Sequence, residues 1–389
     1  MFLIRTNMKI VFISNHDYLA KRQGGFHVFA KLLSQKHNVV FFSYPRSFFI
    51  KIRKNKLIEY DSIGYFSDKV IKTESILNVS RLFFILPAKI LNLFPDFIVR
   101  YSHVCPYFLF RSFCKKYFKD ANCFVLESNA SVVLFKALKQ LYPNAKFVYR
   151  PSDPMLNSNA MRFYHKYEID YIKECDFIFP VNNEGVELYK KHISDLDLNK
   201  IEIISNGIDI SLYSKNYERP REFKDYKNIA CYVGARPAQW DLVIYACKQL
   251  PEVNFFIVCP ENPSEFFKEE NKLLNNLHFI QGIPPSKVPS FIKNADLVIV
   301  PNPTDMYKDF PWGVTAKYYQ AMYARKRIVA YSDNEKIKSL GIPVTDTYED
   351  FVKEVRENIG KGAIDYDFNF TSIEWKKLAA KMNQILVRL

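Results

Sequence analysis

Short, continuous apolar segments recur along the chain, and stretches with helical spacing separate them. The first segment, residues 8–14, reads Met-Lys-Ile-Val-Phe-Ile-Ser, and residues 26–36 follow it with apolar side chains spaced as on one face of a helix. A strand that is apolar throughout must be covered on both faces, as in a parallel sheet between helical layers. We therefore predict an α/β fold built from doubly wound, Rossmann-like sheets. Further strands are predicted at residues 39–43, 123–126, 146–149, 177–181, 201–204, 228–234, 254–259, 278–281, 297–300 and 327–330.

The alternation pauses once, near residue 210. Ser205-Asn-Gly-Ile-Asp209 and the charged stretch 213–227 interrupt it, and it then resumes. In a chain of 389 residues this predicts two domains of ordinary size, at residues 8–209 and 228–371. Residues 372–389 have helical spacing and are expected to pack back near the first domain. Ligands bind at the carboxyl ends of the strands in such sheets, so the two domains are expected to face each other across a cleft.

Several classes of protein are disfavoured by composition. The seven cysteines are scattered without a C-x-x-C pair, and most lie in apolar runs, which predicts core thiols in a reducing, cytoplasmic compartment. Residues 1–7 lack the apolar core of a secretory signal. The most apolar stretch, residues 82–99, is interrupted by two prolines and two charged residues, which argues against a membrane-spanning helix.

The net charge of +14 is concentrated in the first half of the chain. Residues 46–120 contain 14 Lys and Arg against 6 Asp and Glu, a net of +8, mixed with many aromatic and aliphatic side chains. This mixture predicts contact with an anionic membrane surface or with nucleic acid, and no RNA-binding signature accompanies it, so peripheral membrane attachment is favoured. The alternative is that the apolar side chains pack inside the domain. The residues concerned are Phe48, Phe49, Ile50, Phe83, Phe84, Ile85, Phe108 and Phe110, with the basic Lys51, Arg53, Lys54 and Lys56.

Three positions after the first strand are candidates for the acceptor side of a cleft. Gly24 and Gly25 precede the first helix, where missing side chains allow a phosphate or sugar to approach the helix N-terminus. A plain tight turn explains them equally well, and the absence of G-x-G-x-x-G argues against a dinucleotide cofactor. Asp17 either lines the cleft or stabilises a turn.

Another candidate follows the strand at residues 146–149. In Tyr149-Arg-Pro-Ser-Asp-Pro154 the prolines restrict the backbone and present Asp153 at the carboxyl end of the strand. A carboxylate there can take a proton from an attacking hydroxyl. A turn or helix cap is the alternative role for this residue.

Basic residues in the second half form the candidate donor site. Gly234 follows a strand, where a glycine admits a diphosphate, and Arg236 is near enough to bind it. Lys317 and Gln320 share one face of a helix close to its N-terminus, which is a favourable position for a diphosphate. Solvent-exposed basic residues are the alternative interpretation for both segments.

These segments, in this order, resemble the glycosyltransferases of the GT-B fold. They are the Gly24-Gly25 loop, Ile204-Ser-Asn-Gly-Ile-Asp209, Gly234-x-Arg236, His278-Phe-Ile-Gln-Gly282, Ala295-Asp-Leu-Val-Ile-Val-Pro301 and Lys317-x-x-Gln320-Ala-Met. Within that fold the chain looks most like the membrane-associated glucuronosyltransferase of xanthan biosynthesis and its relatives.

The resemblance implies roles for individual residues. Asp153 would be the catalytic base, Lys317 would bind the diphosphate, and Gln320 would contact the nucleotide. The second domain would bind a nucleotide-sugar donor, with UDP as the expected nucleotide, and the first a lipid-linked glycan acceptor. Neither a cofactor nor a metal ion is implied. Retaining members carry Glu in an E-x7-E pattern, whereas this chain has Gln320 and Trp312, which favours inversion.

Two other functions remain compatible with these patterns. A nucleotide-sugar epimerase uses the same paired architecture, but it needs no acceptor. A non-catalytic membrane- or nucleic-acid-binding protein on the same fold is the other alternative, and the intact donor-side segments argue against it. The expected function is a glycosyltransferase of cell-surface polysaccharide synthesis, with glucuronic acid as one candidate sugar.

Overall fold

A computed structural model describes most of the chain and divides it into two units. The described residues are 7–19, 23–44, 46–49, 64, 67–73, 75–234, 238–260, 263–271, 273–303 and 313–389. One unit comprises Met1–Ser205 together with Leu378–Leu389, and the other comprises Asn206–Lys377. Each unit is organised around its own sheet.

The first unit contains a sheet of seven strands within the described residues, in the order β3-β4-β2-β1-β5-β6-β7. All neighbouring strands are parallel except β3, which is antiparallel to β4. The strands are β1 (Lys9–Ser14), β2 (Asn38–Ser43), β3 (Lys69–Lys72), β4 (Ile76–Ser80), β5 (Cys123–Glu127), β6 (Lys146–Arg150) and β7 (Phe177–Ile178).

Helices cover this sheet, and their apolar faces complete its core. α1 buries Phe26, Phe29 and Leu33, which follow the helical period seen in the sequence. The helices of this unit are α1 (Gly25–Leu33), α2 (Ala88–Leu91), α3 (Asp96–His103), α4 (Tyr107–Tyr117), α5 (Phe135–Leu141), α6 (His165–Glu174) and α7 (Asn183–His192).

The sequence-based strands at residues 177–181 and 201–204 are only partly present. β7 ends after two residues, and Ile201 forms an isolated bridge with Ile178. The N–H of Ile204 still donates to the oxygen of Pro180, at 2.9 Å. Pro180 has no N–H to donate in return, so a regular ladder cannot continue there.

The second unit contains a parallel sheet of six strands, as far as the structure describes it. Its order is β10-β9-β8-β11-β12-β13. The strands are β8 (Ile229–Val233), β9 (Asn254–Cys259), β10 (Leu277–Gln281), β11 (Leu297–Pro301), β12 (Ile328–Tyr331) and β13 (Val344–Thr345). The helices are α8 (Ile210–Tyr213), α9 (Trp240–Gln249), α10 (Val288–Asn294), α11 (Ala316–Tyr323), α12 (Glu335–Lys338), α13 (Tyr348–Asn358) and α14 (Trp375–Arg388).

The C-terminal helix α14 starts in the second unit, and its residues from Leu378 onward group with the first. The ring of His37 accepts a hydrogen bond from the N–H of Met8 and donates its other N–H to Asn383 Oδ1, at 2.5 Å. Lys381 forms an ion pair with Glu202. The end of the chain is therefore a structural part of the first unit.

Candidate active site

The carboxyl ends of β5 and β6 place a carboxylate and a guanidinium next to each other inside the first unit. Glu127 and Arg150 are paired in register, and both are buried. Burial raises the pKa of Glu127, whereas hydrogen bonds from Ser14 and Ser152 and the charge of Arg150 act in the opposite direction. Burial also lowers the pKa of Arg150 to about 10, which still leaves it a cation at neutral pH.

Asp153 lies just beyond this buried pair, on the loop that follows β6. Its side chain is exposed, and its backbone N–H donates to Ser128 Oγ at 3.3 Å. The Oγ of the preceding residue, Ser152, donates to Glu127 Oε1 at 3.1 Å. The predicted base is thus a solvent-accessible carboxylate whose own backbone N–H makes a hydrogen bond and whose preceding residue makes another.

A second buried carboxylate holds the other side of the same loop. Glu168 on α6 accepts the N–H groups of Met155, at 3.2 Å, and Leu156, at 2.8 Å. It also accepts the hydroxyl groups of Tyr149 and Tyr189, at 2.6 and 3.0 Å. Only Asp153 and Pro154 separate the residues held by the two glutamates, so the loop has little freedom to move.

The predicted glycine loop is organised by a buried histidine. The N–H of Gly24 donates to His27 Nδ1 at 3.3 Å, and His27 Nε2 lies 3.1 Å from the carbonyl oxygen of Asp17. Burial lowers the pKa of His27 to about 4, so the ring is neutral and donates to that carbonyl. A β-carbon added to Gly24 would meet no atom of the described residues within 4 Å. Gly25 begins α1 at this point.

Asp17 lies in the interior rather than on an open surface, with an exposed fraction of 4%. Its Oδ1 accepts the N–H of Leu19 at 2.9 Å and the amide of Asn78 at 3.1 Å, and Lys69 Nζ is 3.6 Å from Oδ2. This geometry corresponds to the turn-stabilising alternative, since the carboxylate is already engaged within the domain.

On the second unit, Lys317 lies in the first turn of α11, as its spacing predicted. Its Nζ is 3.4 Å from the hydroxyl of Tyr232 and 4.9 Å from the centre of that ring. Gln320 is half-buried on the same helix. An ammonium group at a helix N-terminus offers an anion both a full charge and unpaired backbone N–H groups.

Gly234 lies against Tyr232 and Lys317. A β-carbon at Gly234 would lie 2.7 Å from Tyr232 Oη and 3.4 Å from Lys317 Nζ, so these two side chains fill the space that a larger residue would need. The predicted contact of Gly234 with a diphosphate stays a prediction. Arg236 and Trp312 lie outside the described residues, so their predicted roles stay predictions.

The sequence analysis did not identify Glu127, Glu168 and Tyr232. Each is a single polar residue in an otherwise apolar strand or an ordinary helix, and nothing local shows what it contacts. Within the described ranges, no three His, Cys, Asp or Glu side chains are arranged to hold a metal ion. All seven cysteines are described, and all are free.

Comparison with protein families gives a match over the first unit. Residues 12–181 match the family model described as the N-terminal domain of the glucuronosyltransferase GumK. No curated protein sequence matches the chain.

Solved structures resemble nearly the whole chain. The ligand-free structure of OtsA covers 98% of this chain and 96% of its own, with a TM-score of 0.62 and 10% identity. HepE from Anabaena in complex with UDP covers 98% and 100%, with a TM-score of 0.62 and 13% identity. A glycosyltransferase from Rickettsia africae covers 98% and 93%, with a TM-score of 0.58 and 15% identity.

These comparisons confirm the predicted fold, with two Rossmann-like domains of the GT-B class, and the resemblance to GumK. They indicate a glycosyltransferase.

Proposed function

We propose that the protein transfers a sugar from a UDP-sugar to a hydroxyl group of a lipid-linked glycan. The observation that carries the proposal is the Asp153 loop, where an exposed carboxylate is presented by a backbone fixed on both sides. That loop follows a strand of the domain that matches a glucuronosyltransferase family model. A protein that only binds a glycan has no need for a base held in this way.

The reaction is a single displacement. The acceptor hydroxyl loses its proton to Asp153 as its oxygen attacks the anomeric carbon, the bond from that carbon to the diphosphate oxygen breaks, and the configuration inverts. The leaving nucleoside diphosphate gains negative charge, which Lys317 and the N–H groups at the start of α11 stabilise. No metal ion takes part in this proposal.

A uridine nucleotide is proposed because two kinds of structural neighbour were solved with one. HepE was solved with UDP and with UDP-glucose, and a trehalose-6-phosphate protein from E. coli with UDP-2-fluoro glucose. Glucuronic acid is the first sugar to test, since the matching family model describes a glucuronosyltransferase.

We further propose that the protein works at the cytoplasmic face of a membrane, in cell-surface polysaccharide synthesis. Three exposed apolar side chains lie close together in the sequence of the first unit. They are Leu93 in the turn after α2, Phe97 on α3 and Phe108 on α4, with exposed fractions of 82%, 71% and 69%. On α4, Arg111 and Lys115 are exposed three and seven residues after Phe108, on the same helical face. Apolar and basic side chains on one face suit an anionic bilayer surface. None of the described helices is long and apolar enough to cross a bilayer.

The residues that support this surface differ from those singled out in the sequence. Phe83, Ile85 and Phe110 are buried in the core, so for them the packing alternative was right. Phe48, Phe49 and Phe84 are half-buried, and of the seven that the structure describes only Phe108 is exposed. Ile50 and the basic residues Lys51, Arg53, Lys54 and Lys56 lie outside the described ranges.

Product analysis tests the proposed activity. The protein is incubated with each of several UDP- and GDP-sugars, with and without a lipid-linked acceptor, and both nucleotide and glycan products are identified by mass spectrometry. We expect UDP release and a glycan heavier by one sugar, only when acceptor is present. An isomerised nucleotide sugar formed without acceptor would identify an epimerase, and no conversion with any pair would leave only a binding function.

A further inference from the structure

We infer that Glu127 is a positioning residue for the proposed reaction, fixing through Ser152 the backbone that presents Asp153. The inference rests on the proposed function, since it assigns Glu127 a role only through the base. Glu127 itself is buried and does not reach an acceptor.

Three loops converge on the carboxylate of Glu127. Ser14, at the end of β1, donates its hydroxyl to Oε2, and that hydroxyl accepts the N–H of His16 at 3.1 Å. Asn129 donates its amide to the same oxygen at 3.5 Å, and Ser152 donates to the other oxygen at 3.1 Å. Each neighbour offers a donor, which is the environment of an ionised carboxylate.

A purely structural role does not explain a charged pair at this position. Taking Glu127 and Arg150 out of water is costly, and an apolar pair of similar size is often at least as stable. The cation makes hydrogen bonds to the carbonyl oxygens of Phe179, at 2.9 Å, and Pro151, at 3.4 Å. Its Nε has no hydrogen-bond partner among the described residues, and its charge is balanced first by Glu127 and then by Asp153.

The contacts of Glu168 increase the importance of the hydrogen bond between Ser152 and Glu127. Glu168 fixes Met155 and Leu156 at the end of the loop. At the start of the loop the N–H of Asp153 donates to Ser128 Oγ, and the hydrogen bond from Ser152 to Glu127 restricts the residue before the base. A displacement of about 1 Å at a reacting group can lower a rate about a hundredfold, so this bond has a large effect on turnover.

Two variants test the inference directly, in the full-length protein with UDP-sugar and acceptor. Ser152→Ala removes the link and leaves every charge in place, and kcat should fall about tenfold. Glu127→Gln should lower kcat ten- to a hundredfold. In both, the KM for the donor should stay within about threefold, because the donor side is untouched.

The pH profile separates positioning from loss of structure. The charged groups that act on Glu127 are Arg150 on β6 and Asp153 on the loop, and its other neighbours are neutral. Glu127→Gln removes a negative charge beside the base, so the acid limb of the kcat profile should move to lower pH. Ser152→Ala should leave the limb unchanged. Glu127→Gln combined with Arg150→Met removes both charges, so the acid limb should move back toward its position in the parent. The double variant also supplies a folded protein if Glu127→Gln alone is unstable.

Asp68→Asn is the matched control, because it removes a carboxylate that is only 9% exposed, is paired with Arg81 at 2.7 Å and does not touch the loop. Its kcat should remain within about twofold of the parent. The inference is wrong if Ser152→Ala and the double variant turn over like the parent, or if Asp68→Asn loses as much activity as they do. Full activity in Asp153→Asn would instead defeat the proposed function, which is a separate result.

Discussion

Gly234, Tyr232 and Lys317 depend on one another at the carboxyl end of β8, an interior strand of the second sheet. The missing side chain of Gly234 leaves room for the tyrosine hydroxyl, and that hydroxyl and its ring lie against the lysine ammonium. The tyrosine therefore limits where the ammonium can point. In the proposed donor site, Lys317 supplies a positive charge and Tyr232 fixes its position. The charge and its position can be tested separately.

Removing the charge is the first test. Lys317→Ala should weaken UDP binding by about one to two orders of magnitude, since a charge-assisted contact is worth roughly 1.5–3 kcal/mol. Isothermal titration calorimetry measures this. Lys353→Ala, an exposed lysine on α13, is the control and should bind UDP like the parent. Equal affinity in the two variants would mean that Lys317 is not part of the donor site.

Moving the charge without removing it is the second test. Gly234→Ala forces the tyrosine and the lysine apart, so UDP affinity should fall several-fold and the free energy of unfolding by roughly 1–3 kcal/mol. Gly185→Ala, where a β-carbon meets nothing closer than 3.5 Å, should cost no stability. If Gly234→Ala had the UDP affinity and the stability of the parent, the packing of Tyr232 against Lys317 would not contribute to donor binding.

Individual site residues could be predicted from the sequence, but the residues that they contact could not. Asp153 and Lys317 could be selected because a strand end and a helix start are visible in the pattern. Ser14 and Glu127 are 113 positions apart, and only the pairing of β1 with β5 brings them together. The contact between Tyr232 and Gly234 was missed because the tyrosine resembles an ordinary apolar strand residue.

Helix α6 connects the proposed membrane surface with the Asp153 loop. Arg100 on α3 donates to Asp170 on α6 at 2.8 Å, and Lys166 is 3.2 Å from Asp96. The same helix carries Glu168, which holds the loop on its far side. The helix with exposed Phe97 is thus joined to the element that fixes the base.

This connection should depend on pH. Burial would raise the pKa of Asp96, but hydrogen bonds from Arg100, Tyr167 and Lys166 outweigh it and hold the pKa at about 2, below the ordinary 3.8. The unfolded chain therefore takes up a proton at higher pH than the folded domain does. The stability that Asp96 contributes is present above about pH 4 and is lost as the pH falls toward 2.

Asp96→Asn tests this by urea unfolding at several pH values. Because the side chain of Asp96 is 36% exposed, solvent screening limits the expected loss at pH 7 to at most about 1 kcal/mol. The difference from the parent should shrink between pH 4 and pH 2. Glu187→Gln, in an exposed pair on α7, should show almost no difference at any pH. A gap that stays constant with pH would contradict the assignment.

Most of the parallel strands could be predicted because each is a continuous apolar run, but β3, β4 and the two-residue β13 were missed. The side chains of β3 are alternately half-buried and exposed, so its sequence resembles a surface loop. It is antiparallel to β4 at the edge of the sheet, where one face is open to solvent.

For the molecule as a whole, exposed apolar groups and positive charge occur together in the first unit. Replacing Leu93, Phe97 and Phe108 by Ser should abolish most co-sedimentation with anionic vesicles, because inserted apolar side chains supply part of the binding. Replacing Arg111 and Lys115 by Glu should weaken vesicle binding, because each basic residue near an anionic surface contributes about 1 kcal/mol. The remaining binding should depend less on salt.

Transfer to a short, soluble acceptor should be unaffected in both sets of variants. Leu273→Ser with Phe267→Ser, which removes exposed apolar residues of the second unit, is the matched control and should bind vesicles like the parent. Equal recovery of the parent with neutral and anionic vesicles would exclude the proposed electrostatic attachment.

The central claim is that Asp153 removes the proton from the acceptor, and Asp153→Asn tests it most directly. The amide keeps the size of the side chain and cannot accept the proton. Turnover with UDP-sugar and acceptor should fall below detection, while calorimetry should give a UDP affinity within about twofold of the parent. Turnover within a few-fold of the parent, in a variant that binds UDP normally, would contradict the account.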